Sequence, residues 1–92
     1  MRIDKFLKVS RIIKRRTVAS EACSGGRVMI NSKIAKPSSP IKAGDILCIR
    51  FGEHTGYYEI TSVADTVSKD HAAEMYRVLN EDTFLSTERS KT

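Results

Sequence analysis

The segment from Arg2 to Thr17, RIDKFLKVSRIIKRRT, constrains the fold more than any other part of the chain, because its pattern is helical but does not fit one straight helix. At about 100° per residue, one stripe collects three apolar residues: Ile3, Phe6 and Leu7. The same helix, if continued, would place Ile12 on the opposite, charged face. We therefore predict that a first amphipathic helix ends near Val9 to Ile12.

A second short helix is predicted after a basic turn. It covers the sequence VASEACS, and Thr17 before it is a candidate N-cap whose hydroxyl accepts a free backbone N–H. The pair Gly25-Gly26 marks the end of this helix. The turn between the helices then contains or adjoins three basic residues: Lys14, Arg15 and Arg16.

The same segment carries seven basic residues and one acidic residue, Asp4. Ammonium and forked guanidinium groups spread over two helical turns and a loop suit the phosphates of a nucleic-acid backbone. A solvated helix face is the ordinary explanation of such residues, but this almost uncompensated charge favours a polyanion site. The predicted contacts are Arg2, Lys5, Lys8, Arg11, Arg15 and Arg16. We assign Asp4 a supporting role, since a carboxylate in the first turn opposes the helix dipole and can hold Arg2 or Lys8 in register.

Composition narrows the functional class. The 92 residues suit one domain and leave no room for a catalytic domain of ordinary size. Residues 1–50 carry 12 Lys/Arg and 3 Asp/Glu, whereas residues 51–92 carry 4 and 8, so the N-terminal half is the part that faces a polyanion. His54 and His71 lack the spacing of a catalytic or metal site, and we expect no enzyme activity, no metal and no cofactor. Without a signal-peptide run or 18 consecutive apolar residues, we expect a cytoplasmic protein that binds no membrane.

The rest of the chain predicts a small sheet. RVMINSKIAK is typical of a hairpin that turns at Asn31-Ser32, PSSPIKAGD of a loop, and DILCIRF and YYEITSVAD of strands joined by the turn GEHTG. A short helix is predicted to start near Lys69, while residues 76–80 fit a helix or a strand and the last residues form a frayed tail.

The fold class is therefore α+β: two short N-terminal helices packed on a small, mostly antiparallel sheet, with a short C-terminal helix. We place one domain at residues 1–64 and a C-terminal extension at residues 65–92. Cys23 and Cys48 are expected to be small buried hydrophobic residues in a reducing compartment. Phe6 and Phe51 fall on apolar stripes and are expected in the core, which favours recognition of RNA backbone and shape over base stacking.

Residues 2 to 51 also resemble a known RNA-binding module. The shared pattern runs, in order, through RID, a basic turn ending in RT before an Ala-containing helix, GRVMIN, KPS, and GD before an apolar strand. It is similar to the domain first described in ribosomal protein S-four and found in pseudouridine synthases, bacterial tyrosyl-tRNA synthetases and the fifteen-kilodalton heat-shock protein. The segments Arg2 to Thr17 and AAEMY, at Ala72 to Tyr76, are more similar still to the short, free-standing RqcP family. A departure lies at Asn31-Ser32, where the family usually has Asn-Gly.

The resemblance implies a ribosome-associated quality-control factor. Members of this kind bind the large ribosomal subunit, through rRNA and peptidyl-tRNA, on obstructed complexes, and support the addition of alanines to stalled chains. The partners implied are therefore rRNA, peptidyl-tRNA and the alanine-tailing factor on the same subunit. For the protein itself, a ribosome-bound monomer is the simplest expectation. Carried onto this sequence, the RNA contacts include Thr17 beside the basic residues named above, with Asp4 in support.

Three alternatives stay open from the sequence. Two short helices and a turn also describe a DNA-binding helix-turn-helix, although VASEACS lacks long polar side chains for reading base edges. The basic amphipathic helix alone could bind a membrane surface or a partner protein. A large-subunit salvage factor like the fifteen-kilodalton heat-shock protein is the third.

Overall fold

The computed structural model describes residues 1–64 and 69–80, and within them two helices precede a five-stranded sheet. The helices are α1, Ile3–Val9, and α2, Arg16–Ser24. The strands are β1, Val28–Ile30; β2, Lys33–Ile34; β3, Ile46–Phe51; β4, His54–Ile60; and β5, Tyr76–Leu79. The sheet order is β2-β1-β3-β4-β5, and each neighbouring pair is antiparallel. The predicted α+β class is confirmed.

Helix α1 ends where its apolar stripe would have left the core. Three fully buried side chains form its inner face: Ile3, Phe6 and Leu7. After the C-cap Ser10, Arg11 adopts a left-handed φ of 65°. The Arg11 N–H donates to the Lys8 carbonyl at 3.1 Å, and the Ile13 N–H donates to the Leu7 carbonyl at 3.0 Å. This turn lets Ile13 enter the core while Lys14 stays exposed, whereas one continuous helix would have placed Lys14 on the apolar stripe.

Helix α2 ends at the predicted glycine pair in a Schellman motif. The Arg27 N–H donates to the Ala22 carbonyl at 3.0 Å, and the Gly26 N–H donates to the Cys23 carbonyl at 3.0 Å. Gly26 has a φ of 73°, which glycine adopts without the steric cost of a Cβ atom. Two of the carbonyls that the helix end leaves free are therefore paired, and the chain reverses into β1.

The start of α2 differs from the prediction. The helix begins at Arg16, after an N-cap at Arg15 that makes no side-chain hydrogen bond, and Thr17 lies inside the first turn. The assignment of Thr17 as N-cap was wrong. The Arg16 guanidinium lies 3.5 Å from the Asp4 carboxylate on α1, so the first turn of α2 makes a side-chain contact with the other helix.

Strands β1 and β2 form the predicted tight hairpin, in the register Met29 opposite Ile34. The two loop residues, Asn31 and Ser32, have φ values of 49° and 71°. Positive φ at both central positions is the signature of a type I′ turn, whose twist matches that of the flanking strands. Asn tolerates this conformation better than Ser does, so the strain of the turn lies mainly at Ser32.

Asn31 also joins the hairpin to the start of β3. Its Oδ1 accepts the Ile46 N–H at 3.0 Å, and its Nδ2 donates to Asp45 Oδ1 at 3.0 Å. The other carboxylate oxygen of Asp45, which is buried, accepts the Lys42 N–H at 2.9 Å. One side chain thus fixes the end of the long loop after β2 against the hairpin turn.

Strand β4 starts earlier and ends sooner than predicted. The turn before it is reduced to Gly52-Glu53, with a positive φ of 60° at Gly52, as at the first central position of a type II′ turn. The predicted strand continued to residue 65, but the chain leaves the ladder after Ile60. The Thr61 N–H then donates to the Met75 carbonyl at 2.8 Å, where the returning chain begins β5.

Beyond residue 64 the described chain contains one α turn at Lys69–Ala72, one 3-10 turn at Ala73–Met75, and β5. Strand β5 pairs with β4 at the edge of the sheet, so the strand is the correct alternative for the segment that begins at Tyr76. The predicted tail falls outside the described residues. Within the described ranges, no helix combines the length and apolar composition that crossing a bilayer requires.

The helices cover one face of the sheet, and the core lies between the helices and this face. Val28, Leu47 and Ile49 are fully buried on this face, whereas Ile46, on the other side of β3, is also buried, at 1% exposed. Cys23 on α2 is buried as expected, whereas Cys48, on the opposite face, is partly exposed. Phe51 is the last residue of β3 and is 39% exposed. Its assignment to the core was wrong, because the strand runs past the area that the helices cover.

Replacing Asn31 by Asp is expected to destabilise the domain by about 1–3 kcal/mol at pH 7, because a carboxylate then faces Asp45 where an amide donor stood. Acidification toward pH 5 should reduce this loss relative to wild type, since protonating the introduced group restores a donor. Urea unfolding at both pH values measures the difference. Asn31→Ala removes the bonds without adding charge, so its loss should not shrink. An equal loss for Asn31→Asp at both pH values would contradict the assigned contact.

Candidate nucleic-acid interface

Asp4 occupies the centre of the candidate site. This carboxylate lies in the first turn of α1 and is 3% exposed. Its Oδ2 accepts a hydrogen bond from Arg2 Nη2 at 3.1 Å, while its Oδ1 accepts the Lys5 N–H at 2.7 Å and lies 3.5 Å from Arg16 Nη2. One buried carboxylate therefore contacts two guanidinium groups, one just before α1 and the other in the first turn of α2.

This arrangement places two like charges side by side at the protein surface. The side chains of Arg2 and Arg16 are 52% and 48% exposed, so each keeps part of its guanidinium in solvent. A guanidinium has five N–H donors, and the contact with Asp4 uses few of them. The remaining donors can bind phosphate oxygens in charge-assisted hydrogen bonds. Asp4 thus fixes the position of both groups without blocking them.

The backbone around Arg2 is held by the loop that follows β2. The Ile3 N–H donates to the Ser39 carbonyl at 2.9 Å, and the Ile41 N–H donates to the Met1 carbonyl at 2.9 Å. Arg2 itself forms an isolated antiparallel bridge with Pro40. The conformation of the chain before α1 is therefore set by tertiary contacts with residues more than thirty positions away, and the position of Arg2 does not depend on helix α1 alone.

The turn between α1 and α2 is built around a buried serine. Ser10 is 1% exposed, and its Oγ donates to the Leu7 carbonyl at 3.3 Å and lies 3.5 Å from the N–H of Ile12, which donates to it. Together with the left-handed Arg11, these contacts define the path of the loop. Four basic side chains are exposed on and beside it: Lys8, Arg11, Lys14 and Arg15.

The predicted site residues therefore occupy one continuous stretch of the two helices and their turn. We call it the basic surface and define it as Arg2, Lys5, Lys8, Arg11, Lys14, Arg15, Arg16 and Thr17. The structure brings Arg2 and Arg16 together through Asp4, whereas Thr17 is exposed in the first turn of α2. Lys5 is partly buried beside Asp4. Lys14, which was placed in the turn but not among the contacts, is exposed with the others.

Cys23 lies close enough to Asp4 for the carboxylate charge to shift the pKa of its thiol. Burial of the thiol, and next the negative charge of Asp4, raise the pKa of Cys23 from 9.0 to about 11. A thiol in this environment is protonated at neutral pH and is a poor nucleophile, because the thiolate is the reactive form. Cys23 therefore acts as a packing residue beneath the basic surface.

Two exposed arginines outside the predicted set, Arg27 and Arg50, lie at a groove beside the basic surface. The Arg50 N–H donates to the Arg27 carbonyl at 2.9 Å, which joins the chain after α2 to the end of β3. They are separated by 22 other residues, and no local pattern links them in the sequence. The groove was missed for this reason and because Phe51, another of its lining residues, had been assigned to the core.

A family model described as the S4 domain matches residues 1–47, a segment that contains the basic surface, both helices and the β1–β2 hairpin. The chain belongs to the S4 domain family. The resemblance stated from the sequence is thereby confirmed, and the match ends within β3 of this S4 domain protein.

Its relatives extend the similarity to nearly the whole chain. The RQC P-site tRNA stabilizing factor of Halalkalibacterium halodurans is 49% identical over 88 residues, which cover 96% of this chain and 100% of that protein. The protein of the same name from Bacillus subtilis is 50% identical over 82 residues, covering 89% and 95%. Among solved structures, the trimeric Heat Shock Protein 15 of Vibrio cholerae superposes with a TM-score of 0.80 at 28% identity, covering 98% of this chain and 91% of that one.

The variant Arg11→Gly is expected to raise stability and to lower RNA affinity. Glycine relieves the left-handed strain at this position, worth about 1 kcal/mol, but removes an exposed guanidinium from the basic surface. Ser32→Gly is the matched control, since it relieves similar strain in the hairpin turn without removing a charge. Thermal unfolding and fluorescence anisotropy with a labelled RNA hairpin measure both effects. If Arg11→Gly bound RNA as tightly as Ser32→Gly does, Arg11 would be no RNA contact.

The raised pKa of Cys23 predicts a loss of stability at alkaline pH. Because the folded-state pKa is about 11 against 9.0 for a free thiol, the folded state keeps the proton more tightly. The protonated thiol contributes fully to the free energy of unfolding below pH 9. This contribution is lost as the pH rises toward 11, by on the order of 1–2 kcal/mol. Urea unfolding between pH 8 and pH 10.5 measures this slope. Cys23→Ala should show a shallower slope than wild type, and identical slopes would contradict the assignment.

Proposed function

We propose that this chain is a non-enzymatic RNA-binding factor of ribosome-associated quality control in the cytoplasm. It binds the large ribosomal subunit of obstructed complexes through rRNA and peptidyl-tRNA, and supports alanine tailing of the stalled chain beside the tailing factor. The observation that carries the proposal is the pair Arg2 and Arg16 held by Asp4, within a chain about half identical to proteins named RQC P-site tRNA stabilizing factors.

The geometry of the basic surface suits structured RNA. The arginine pair lies at the starts of α1 and α2, while Lys8 and Arg11 lie at the other end of α1. Two groups of cations at opposite ends of a short helix can contact two phosphate backbones at once. A factor that stabilises a bound tRNA needs such a double contact, one with the tRNA and one with the rRNA beneath it.

The helix-turn-helix alternative is less well supported. A recognition helix needs long polar side chains on its exposed face to read base edges in the major groove. The exposed face of α2 instead presents Val18, which is 46% exposed, and Glu21, whose carboxylate would repel phosphates. The basic residues cluster at the start of α2 and before it, which suits contacts with a backbone and not insertion of the helix into a groove.

Co-sedimentation from cell lysate through a sucrose gradient, repeated at rising salt, tests the proposal. We expect comigration with free large subunits and tRNA, and a steep loss with salt at roughly −0.7 to −0.9 in the log–log slope per phosphate contacted. Arg15→Gln should weaken the association and reduce the slope by about 1. Arg15 is a cleaner choice than Arg16, whose loss would also leave Asp4 with one arginine.

Arg77→Gln is the matched control. It removes the same charge from an exposed arginine on the edge strand β5, outside the basic surface and paired with Glu59. This variant should sediment like wild type. A protein that stays at the top of the gradient at low salt would refute the ribosomal proposal. Comigration with large subunits that carry no tRNA would favour subunit salvage over quality control.

A further inference from the structure

An apolar groove lies beside the basic surface, between the helices and the end of β3. Its volume is about 300 Å³. Ile13, Ala22 and Ile49 are buried and form its base, while Val18 and Phe51 are 46% and 39% exposed at its sides. Single exposed apolar residues are common on protein surfaces, but here two of them face a shared concave space. The groove therefore has room for a small apolar group.

The polar part of the lining is positive. Arg27 and Arg50 are the charged residues among those that line the groove in the described chain, and no described lining residue is a carboxylate. Both arginines are exposed, but Arg50 stands between Ile49 and Phe51 in β3, so its side chain points to the other face of the sheet and Arg27 is the cation on the groove side. An apolar group that carries negative charge at its edges would complement this groove in shape and in charge.

The groove is continuous with the basic surface through the chain itself. Ile12 and Ile13, which line it, stand between Arg11 and Lys14 in the α1–α2 turn. Val18 follows directly on Thr17 at the start of α2. Since neighbouring Cα atoms are 3.8 Å apart, a strand of RNA that contacts the turn reaches the groove within about one nucleotide.

We propose that the groove binds one unpaired nucleobase of the RNA that the basic surface holds, with the base stacked on Phe51 and an adjoining phosphate bound by Arg27. This inference rests on the proposed RNA-binding function and adds a base-contacting site to it. Stacking on an aromatic ring accepts any base, because every base has a π face. The site selects RNA with an unstacked nucleotide and does not select a sequence.

The dimensions favour a base over a peptide. About 300 Å³ is at the lower end of the range for ligand pockets. An amphipathic helix would need an elongated groove that receives apolar residues over two or more turns. One exposed aromatic ring with an exposed arginine, Arg27, at the same groove matches one planar base and its adjoining phosphate.

Fluorescence anisotropy with two labelled RNA hairpins tests the inference on the full chain. One hairpin carries a single unpaired adenosine beside the stem, and the other has the same stem fully paired. Wild type should bind the bulged hairpin about 5- to 100-fold more tightly. Phe51→Leu keeps an apolar side chain but removes the aromatic face, so it should reduce this ratio to about one. Val78→Ala, which truncates a 68% exposed residue on β5, is the control and should keep the wild-type ratio.

Four other outcomes would contradict the proposed base site. Equal binding of both hairpins by wild type would overturn the base site and leave the backbone-binding function intact. Equal weakening for both hairpins in Phe51→Leu would show that the ring does not contact a base. A bulge preference that survives in Phe51→Leu, with loss of co-sedimentation with large subunits, would assign the groove to a protein partner. Binding of neither hairpin at low salt would refute the proposed function together with this inference.

Discussion

The contact of the Asp4 carboxylate with two arginines is the interaction on which the candidate site depends. The side chain is 3% exposed, and an unpaired carboxylate at such a position would be costly. Arg2 and Arg16 compensate the charge of Asp4 from two different segments. Burial of this carboxylate therefore keeps the chain start and α2 next to each other. The same contact holds two cations closer together than their mutual repulsion would allow in its absence. Stability and the shape of the candidate site thus depend on one pair of ionic contacts.

The α1–α2 turn shows the same link between packing and function. Ser10 is buried and bonded within the turn, and Ile13 enters the core two residues after Arg11. Arg11 accepts a left-handed backbone in which glycine would be less strained. Strain of this kind persists where the surrounding structure determines it, and it often marks a functional position. The core therefore sets the path of the turn, and the path exposes the basic side chains.

The parts of the fold that were predictable from the sequence depend on local signals. The break in the apolar stripe located the end of α1, the glycine pair gave the end of α2, and Asn31 marked the hairpin turn. The errors arose where distant residues decide. Thr17 is no N-cap because α2 already begins at Arg16, which contacts Asp4 on another helix, and Phe51 is exposed because the helices stop short of the end of β3. Similarly, the basic residues were evident in the sequence, but their grouping around one carboxylate required the fold.

The most direct test of this account is the RNA affinity of Asp4→Asn, measured by anisotropy under conditions where thermal unfolding shows both proteins to be folded. The substitution makes the basic surface more positive by one charge. If net charge alone governed binding, affinity would rise. If Asp4 positions Arg2 and Arg16, as the structure indicates, affinity will fall despite the added charge. An affinity for RNA equal to or above that of wild type would contradict the central claim.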